Sequence, residues 1–169
     1  MTDAESRVTI HMAASLDGFI AREDGSVDWL ETSDEFEDGE TLDPEYVEGF
    51  VAAIDCYVMG SRTYETALGF EAKGFGWSYG DKPTFVLTSR ELPKTRDTVE
   101  FYSGNLAALV NERLKPSFRN IWFVGGGSVS GECLRGCASA RKSGRRLWFH
   151  SRAGRTLDDR RLDENRKGP

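Results

Sequence analysis

Three consecutive glycines after an apolar segment form the part of the sequence best suited to holding a ligand. Residues 121–124 predict a buried strand, and the chain then runs through Gly125, Gly126 and Gly127 to Ser128, where a helix is predicted to begin. Because glycine has no Cβ, a ligand can lie against the main-chain N–H groups, and a helix N-terminus attracts anions. This pattern predicts a pyrophosphate site; the alternative is a tight turn or a flexible loop.

A second strand-to-helix turn carries groups that suit phosphate. Residues 56–59 predict a short strand that ends at Gly60, and a helix is predicted to follow at once. Thr63 offers a hydroxyl, and the planar guanidinium of Arg62 suits a phosphate, including the extra phosphate of NADPH. The alternative is an ordinary capped helix with a surface arginine. Two such turns on one sheet would support each other, because a dinucleotide needs several anchoring points.

Two further strand ends carry polar residues that could contact a ligand. Asp17 lies in the turn after the first predicted strand, where its carboxylate could orient a substrate or cap the turn. Thr88 and Ser89, followed by Arg90, come at the end of the strand predicted at residues 84–88 and could line an adenosine pocket. Polar residues are common at strand ends, so neither position identifies a site by itself.

The elements that would position these residues alternate between strands and helices. The predicted strands are 8–14, 56–59, 84–88, 99–102 and 121–124, with an extended piece at 19–21, and the predicted helices are 44–54, 61–68, 105–114 and one from 128. This alternation predicts an α/β fold with a mostly parallel sheet covered on both faces, and ligands in such sheets bind at the carboxyl ends of the strands. The aromatic loop 69–83 could be a lid or part of a homodimer interface through Trp77 and Tyr79.

Composition narrows the class of protein. The 169 residues suggest one domain, and no apolar run approaches the roughly 20 residues that span a membrane. The polar N-terminus is not typical of a secretory signal, so we expect a cytoplasmic protein with no membrane partner. Residues 1–132 hold 11 Lys and Arg against 24 Asp and Glu, and this acidic balance disfavours nucleic-acid binding by the main domain. Three cysteines and two histidines show no metal-binding spacing, so no metal site is expected.

The C-terminal segment differs sharply from the rest of the chain. Residues 133–169 hold 11 Lys and Arg against 4 Asp and Glu, and the only apolar cluster there is 147–149. Three interpretations stay open for residues 136–169: a disordered basic tail that binds an anionic partner, a shifted reading frame that replaced the last strands, or a short strand at 146–149 that completes the sheet in part. The abrupt change in composition favours the second.

Four motifs in order carry a family resemblance. MAASLDGFIA at 12–21, VMGSRTYE at 58–65, TFVLTSREL at 84–92 and IWFVGGGSV at 121–129 resemble the dihydrofolate-reductase superfamily. The similarity is closest to the reductase domain of the bifunctional riboflavin-biosynthesis deaminase/reductase and its stand-alone bacterial relatives. It covers about residues 8–135. It therefore places a dihydrofolate-reductase-like domain at residues 1–135, ahead of the basic segment.

The resemblance implies a three-layer α/β/α fold, an NADPH cofactor and hydride transfer to a small heterocyclic substrate, as in a 5-amino-6-(5-phosphoribosylamino)uracil reductase. It implies that Asp17 lies near the substrate and that Ala14 and Ile20 flank the nicotinamide ring. The remaining implied cofactor contacts are Gly60, Arg62 and Thr63 to phosphates, Thr88 and Ser89 to the adenosine end, and Gly125, Gly126, Gly127 and Ser128 to the pyrophosphate.

The chain also departs from its apparent relatives, which leaves alternative functions open. Dihydrofolate reductases place a pterin-binding carboxylate on the helix after the first strand, where this chain offers Asp43, Glu45 and Glu48 in no assured position. The acidic stretch 31–48 is a poor site for a ribose phosphate. If the reading frame is shifted, the sheet lacks its C-terminal strands. The alternatives are a pterin reductase, a non-catalytic nucleotide-binding protein and a nucleic-acid adaptor that uses the basic tail.

Overall fold

Strands and helices alternate through the computed structural model, which describes residues 6–15, 18–28, 44–136 and 147–150. The strands are β1 (Arg7–Ala13), β2 (Cys56–Gly60), β3 (Thr84–Leu87), β4 (Val99–Tyr102), β5 (Asn120–Gly125) and β6 (Leu147–His150). The helices are α1 (Pro44–Ala53), α2 (Ser61–Ala72), α3 (Leu106–Ala108), a π-helix (Leu109–Leu114), α4 (Lys115–Ser117) and α5 (Gly127–Gly136). Of the helices described, none is long and apolar enough to cross a membrane.

The strands form one sheet in the order β4-β3-β2-β5-β1-β6, and every pairing in it is parallel. The sequence prediction of a mostly parallel sheet is confirmed. Parallel strands end at the same edge of a sheet, so the segments that follow β1, β2, β3 and β5 all emerge at one edge. This carboxyl edge therefore carries every turn that the sequence singled out.

Two layers of helices cover the two faces of the sheet, because side chains along each strand alternate between the faces. In β5, for example, Ile121 and Phe123 belong to one core cluster, whereas Trp122 and Val124 pack against the other. The first cluster lies under the helical segment 106–117 and α5, and the second lies under α1, α2 and the loop after α2. The result is the three-layer α/β/α fold that the family resemblance implied.

Helix α2 is longer than the sequence pattern predicted. It was expected to end near residue 68, before Gly69, but it continues to Ala72. Gly69 is exposed on the helix, where a glycine is tolerated at a modest cost. The helix ends instead before Gly74, whose positive φ of +93° allows its N–H to bond back to the Glu71 carbonyl at 3.0 Å.

The extended piece expected at residues 19–21 is not a strand. The main-chain N–H of Ser15 donates to the Phe19 carbonyl at 2.8 Å, and the Phe19 N–H donates to the Ser15 hydroxyl at 3.0 Å. These local hydrogen bonds use the groups that a strand would need for pairing. The helix predicted at 105–114 also differs, since it begins at Leu106 and extends to Ser117 with a π-helix in its middle.

Trp77 and Tyr79, in the loop after α2, pack against the core. The ring of Tyr79 lies 5.0 Å from Tyr57 and 4.9 Å from Trp77, measured between ring centroids. The guanidinium of Arg96 stacks on Trp77 at 4.1 Å from the ring centroid. Burial raises the pKa of Tyr79 to about 12. These contacts hold Trp77 and Tyr79 against the sheet, which is not the arrangement expected of a lid.

A short strand in the basic C-terminal segment extends the sheet. Strand β6, Leu147–His150, pairs in parallel with β1, with Ile10 opposite Leu147 and Ala13 opposite His150. One interpretation of this segment placed a strand at 146–149, one residue earlier, and the described residues contain that strand. The interpretations that concern the rest of the segment fall on residues outside the described ranges.

Candidate active site at the carboxyl edge

The two glycine turns lie side by side because β2 and β5 are neighbours. Val58 pairs with Phe123, whereas Met59 pairs with Gly125, so β5 has one extra residue at Val124. The parallel pairing brings the ends of the two strands together at the carboxyl edge, and the extra residue shifts their register there. The two turns must lie this close together if both are to bind the same dinucleotide, as the sequence analysis predicted.

Contacts between the turns define a surface of bare backbone. A Cβ placed on Gly125 or on Gly126 would lie 3.7 Å from the Thr63 Oγ1 of α2, so the threonine hydroxyl lies above both glycines. Gly125 has a φ of +143°, which favours glycine, and its peptide bond to Gly126 is cis. A Cβ on Gly60 would lie only 3.1 Å from Val129 Cγ2, a contact tighter than usual. The glycines therefore leave room that side chains would fill.

The loop after β1 reaches the same surface. The Cδ1 atom of Ile20 would lie 3.5 Å from a Cβ on Gly127, the first residue of α5. Ala14 follows β1 next to β5, and it is 1% exposed. Ser128 is exposed on the first turn of α5. The structure thus brings the apolar residues Ala14 and Ile20 to the side of the glycine surface that faces β1.

Two helix N-termini give this edge a positive character. Helices α2 and α5 both begin where their strands end, and neither has an acidic residue in its first turn. Gly60, the N-cap of α2, supplies no side-chain hydrogen bond to the helix. Arg62 is exposed, and within the described ranges no carboxylate pairs with its guanidinium. Among the described residues, two helix N-termini and one unpaired guanidinium thus lie at this edge, where they would attract an anion.

The end of β3 adds a second arginine beside α2. Thr88 accepts a hydrogen bond on Oγ1 from the Arg90 main-chain N–H at 2.9 Å, which fixes the turn, and Ser89 is exposed within it. Arg90 Nη2 lies 2.6 Å from Glu65 Oε2 of α2. Sequence reasoning considered Arg90 but missed Glu65. The signal available was the three-residue spacing from Arg62 to Glu65 on a helix, which places the two side chains on neighbouring positions.

Asp17, the one residue predicted to act on the substrate, lies outside the described residues. The role of its carboxyl group in orienting the substrate therefore stays a prediction. Cys56, in contrast, is described: it is the first residue of β2 and is fully buried. Burial, together with the Asp55 carboxylate, raises the pKa of its thiol to about 12. Such a thiol is not a nucleophile near neutral pH.

Comparisons with known proteins relate the sequence and the fold of this chain to three others. No protein-family model matches the chain. The uncharacterized protein YwjB of Bacillus subtilis (strain 168) is 32% identical over 131 residues, which cover 78% of this chain and 70% of YwjB. The solved structure called "putative riboflavin biosynthesis protein", from Shewanella sp. PV-4, superposes with a TM-score of 0.59 at 28% identity and covers 75% of this chain and 68% of that one.

A third relationship is seen in the fold alone. The deaminase/5-amino-6-(5-phosphoribosylamino)uracil reductase of Thermotoga maritima superposes with a TM-score of 0.52 at 14% identity. The match covers 93% of this chain but 48% of that one, so this chain spans about half of the bifunctional protein.

The parallel sheet and its two helical layers define a dihydrofolate-reductase-like α/β/α fold, with a riboflavin-biosynthesis protein among the structural neighbours. Within that class, the chain belongs to the same family as YwjB of Bacillus subtilis.

Proposed function

We propose that the protein is an NADPH-dependent reductase that transfers a hydride to a small heterocyclic substrate, in the manner of a 5-amino-6-(5-phosphoribosylamino)uracil reductase. The observation that carries the proposal is the bare backbone at Gly125 and Gly126 beneath the Thr63 hydroxyl. A Cβ at either glycine would occupy this space, so a compact, anionic linker such as a pyrophosphate suits it. The structural neighbours, one a putative riboflavin-biosynthesis protein and the other a deaminase/5-amino-6-(5-phosphoribosylamino)uracil reductase, support the choice of reaction.

Each part of the site has a role in this proposal. The amides of residues 125–127 and the N-terminus of α5 hold the pyrophosphate, with Thr63 donating from the opposite side. Arg62 neutralises a further phosphate. When bound, NADPH supplies the hydride, and the protein supplies placement and electrostatics. The family resemblance places Ala14 and Ile20 beside the nicotinamide ring, and Ile20 gives the ring an apolar contact on the β1 side of the glycines. Three further roles come from the family resemblance: Thr88 and Ser89 contact the adenosine end, and Asp17 orients the substrate.

Cofactor titration tests the proposal directly. NADPH and NADH are titrated separately into the parent protein and into Arg62→Ala while tryptophan fluorescence is followed. We expect the parent to bind NADPH more tightly than NADH, and Arg62→Ala to lose most of that preference because a cation at the phosphate site is gone. Arg119→Ala removes an exposed arginine that precedes β5 at the opposite edge of the sheet, so it serves as the matched control and should bind as the parent does.

Turnover is then measured with the cofactor that binds. Loss of NADPH absorbance in the presence of a pyrimidine or pterin substrate would establish the reductase. If the parent binds neither cofactor at millimolar concentration, the proposed function is wrong.

A further inference from the structure

Glu65 and Arg90 form an ion pair at the edge of the candidate cofactor site. Their Nη2 and Oε2 atoms are 2.6 Å apart, and their side chains are 54% and 42% exposed for Arg90 and Glu65 respectively. Pairs this exposed contribute little to stability and can exchange partners readily. Arg90 is therefore not fixed to Glu65, and a stronger anion could attract it.

The surrounding structure places this pair where a dinucleotide would meet it. Gly60, at the end of β2, lies opposite Leu87, at the end of β3, so Arg90 emerges beside the first turns of α2. Arg62 precedes Glu65 by three residues on that helix, which makes the two neighbours on its surface. The carboxylate of Glu65 thus shares this flank of the site with two guanidinium groups.

A carboxylate in this position affects two forms of a dinucleotide oppositely. A phosphate on the adenosine ribose is repelled by the carboxylate and must compete with it for Arg90. A free ribose hydroxyl is different, because it can donate a hydrogen bond to a carboxylate. Glu65 therefore weakens binding of the phosphorylated form relative to the unphosphorylated form.

We propose that Glu65 sets the cofactor selectivity of this protein by competing with the ribose phosphate for Arg90, so that the preference for NADPH over NADH is smaller than two arginines alone would produce. This inference rests on the proposed function, since it concerns the same cofactor site. Glu65 acts in it as a specificity-determining residue with no part in hydride transfer.

Binding of four ligands tests the inference in the full-length protein. NADPH, NADH, adenosine 2′,5′-bisphosphate and AMP are titrated into the parent and into the variants Glu65→Gln, Arg90→Ala and the double variant. In Glu65→Gln, the affinity ratio of NADPH to NADH should rise about threefold to tenfold, as expected for removal of an exposed competing charge. The ratio of the bisphosphate to AMP should rise in parallel, because the nicotinamide half is absent from both.

The double variant separates competition for Arg90 from a general change in charge. If Glu65 acts through Arg90, Glu65→Gln should have a clearly smaller effect when Arg90 is already alanine. Glu100→Gln is the matched control, because its ion pair with Arg113 has similar exposure, 45% and 49%, but lies between β4 and the π-helix. This control should leave all ratios unchanged.

The outcomes for the two proposals differ. A parent that prefers NADPH, with a ratio that is unchanged or lowered in Glu65→Gln, would retain the reductase and overturn the role of Glu65. An equal rise with and without Arg90 would also overturn it, since the effect would not pass through that guanidinium. A parent that binds none of the four ligands would overturn both proposals.

Discussion

Substitution of Gly127 by alanine should stabilise the protein and weaken cofactor binding at the same time. Gly127 is the first residue of α5 and has no positive φ, so alanine can adopt its conformation. The new Cβ would contact Ile20 Cδ1 at 3.5 Å, an ordinary van der Waals distance. Replacing a compatible glycine by alanine stabilises a protein by about 0.4–1 kcal/mol, chiefly by restricting the unfolded chain.

The same methyl group would stand between Ile20 and the bare backbone that is proposed to hold the pyrophosphate. We expect NADPH affinity to fall at least about tenfold, or about 1.4 kcal/mol, because close approach to the main-chain amides is lost. The change in stability is measured by thermal unfolding, followed by circular dichroism. For a chain of this size, the unfolding midpoint should rise by about 1–4 °C. The change in NADPH affinity is measured by fluorescence titration.

Gly69→Ala is the matched control for this experiment. Gly69 lies within α2, and a Cβ there would have no neighbour within 4 Å. Alanine at this position should raise the unfolding midpoint in a similar way without changing NADPH affinity. The reasoning about the glycine surface would be refuted if Gly127→Ala bound NADPH as tightly as the parent, or if both variants lost affinity equally.

Two further predictions concern stability. Lys82 Nζ donates hydrogen bonds to three main-chain carbonyls at the end of α1, at 2.7, 3.0 and 2.6 Å. Lys82→Met should therefore lower the free energy of unfolding, measured by urea titration, by about 1–3 kcal/mol and leave NADPH affinity unchanged. An unaltered urea midpoint would contradict this. The Cys56 thiol has a pKa of about 12 when folded against an ordinary value of 9.0, so the unfolded chain loses this proton first and stability should fall as pH rises from about 9 towards 12. Cys56→Ala should show a shallower decline over that range, and an equally steep one would argue against the assignment.

Local sequence patterns were sufficient to identify the strands and the turns that follow them. Apolar segments such as 56–59 and 121–124 are short and each is followed directly by glycine, which makes their carboxyl ends visible in the sequence. The end of α2 was not visible in this way. Gly69 looks like a helix end in sequence, but its exposed position within the helix lets α2 continue to Ala72.

Contacts between distant segments could not be predicted from such patterns. The proximity of Gly60 and Gly125 depends on β2 pairing with β5, and on the extra residue at Val124 that shifts the register. The Glu65–Arg90 pair likewise joins residues 25 positions apart, across neighbouring strands. Both depend on strand order, which is a property of the whole sheet and not of either segment.

The distribution of side chains along the carboxyl edge also indicates how a dinucleotide would be oriented. On the flank next to β3, the described residues include Arg62 and Arg90, and on the flank next to β1 they include the apolar Ala14 and Ile20. The glycines at the end of β5 lie between these flanks, since β5 separates β2 from β1. A ligand with its pyrophosphate on the glycines gains most if its phosphorylated ribose points towards β3 and its uncharged ring towards β1. We infer that the reacting ring, and with it the substrate, lies on the β1 side.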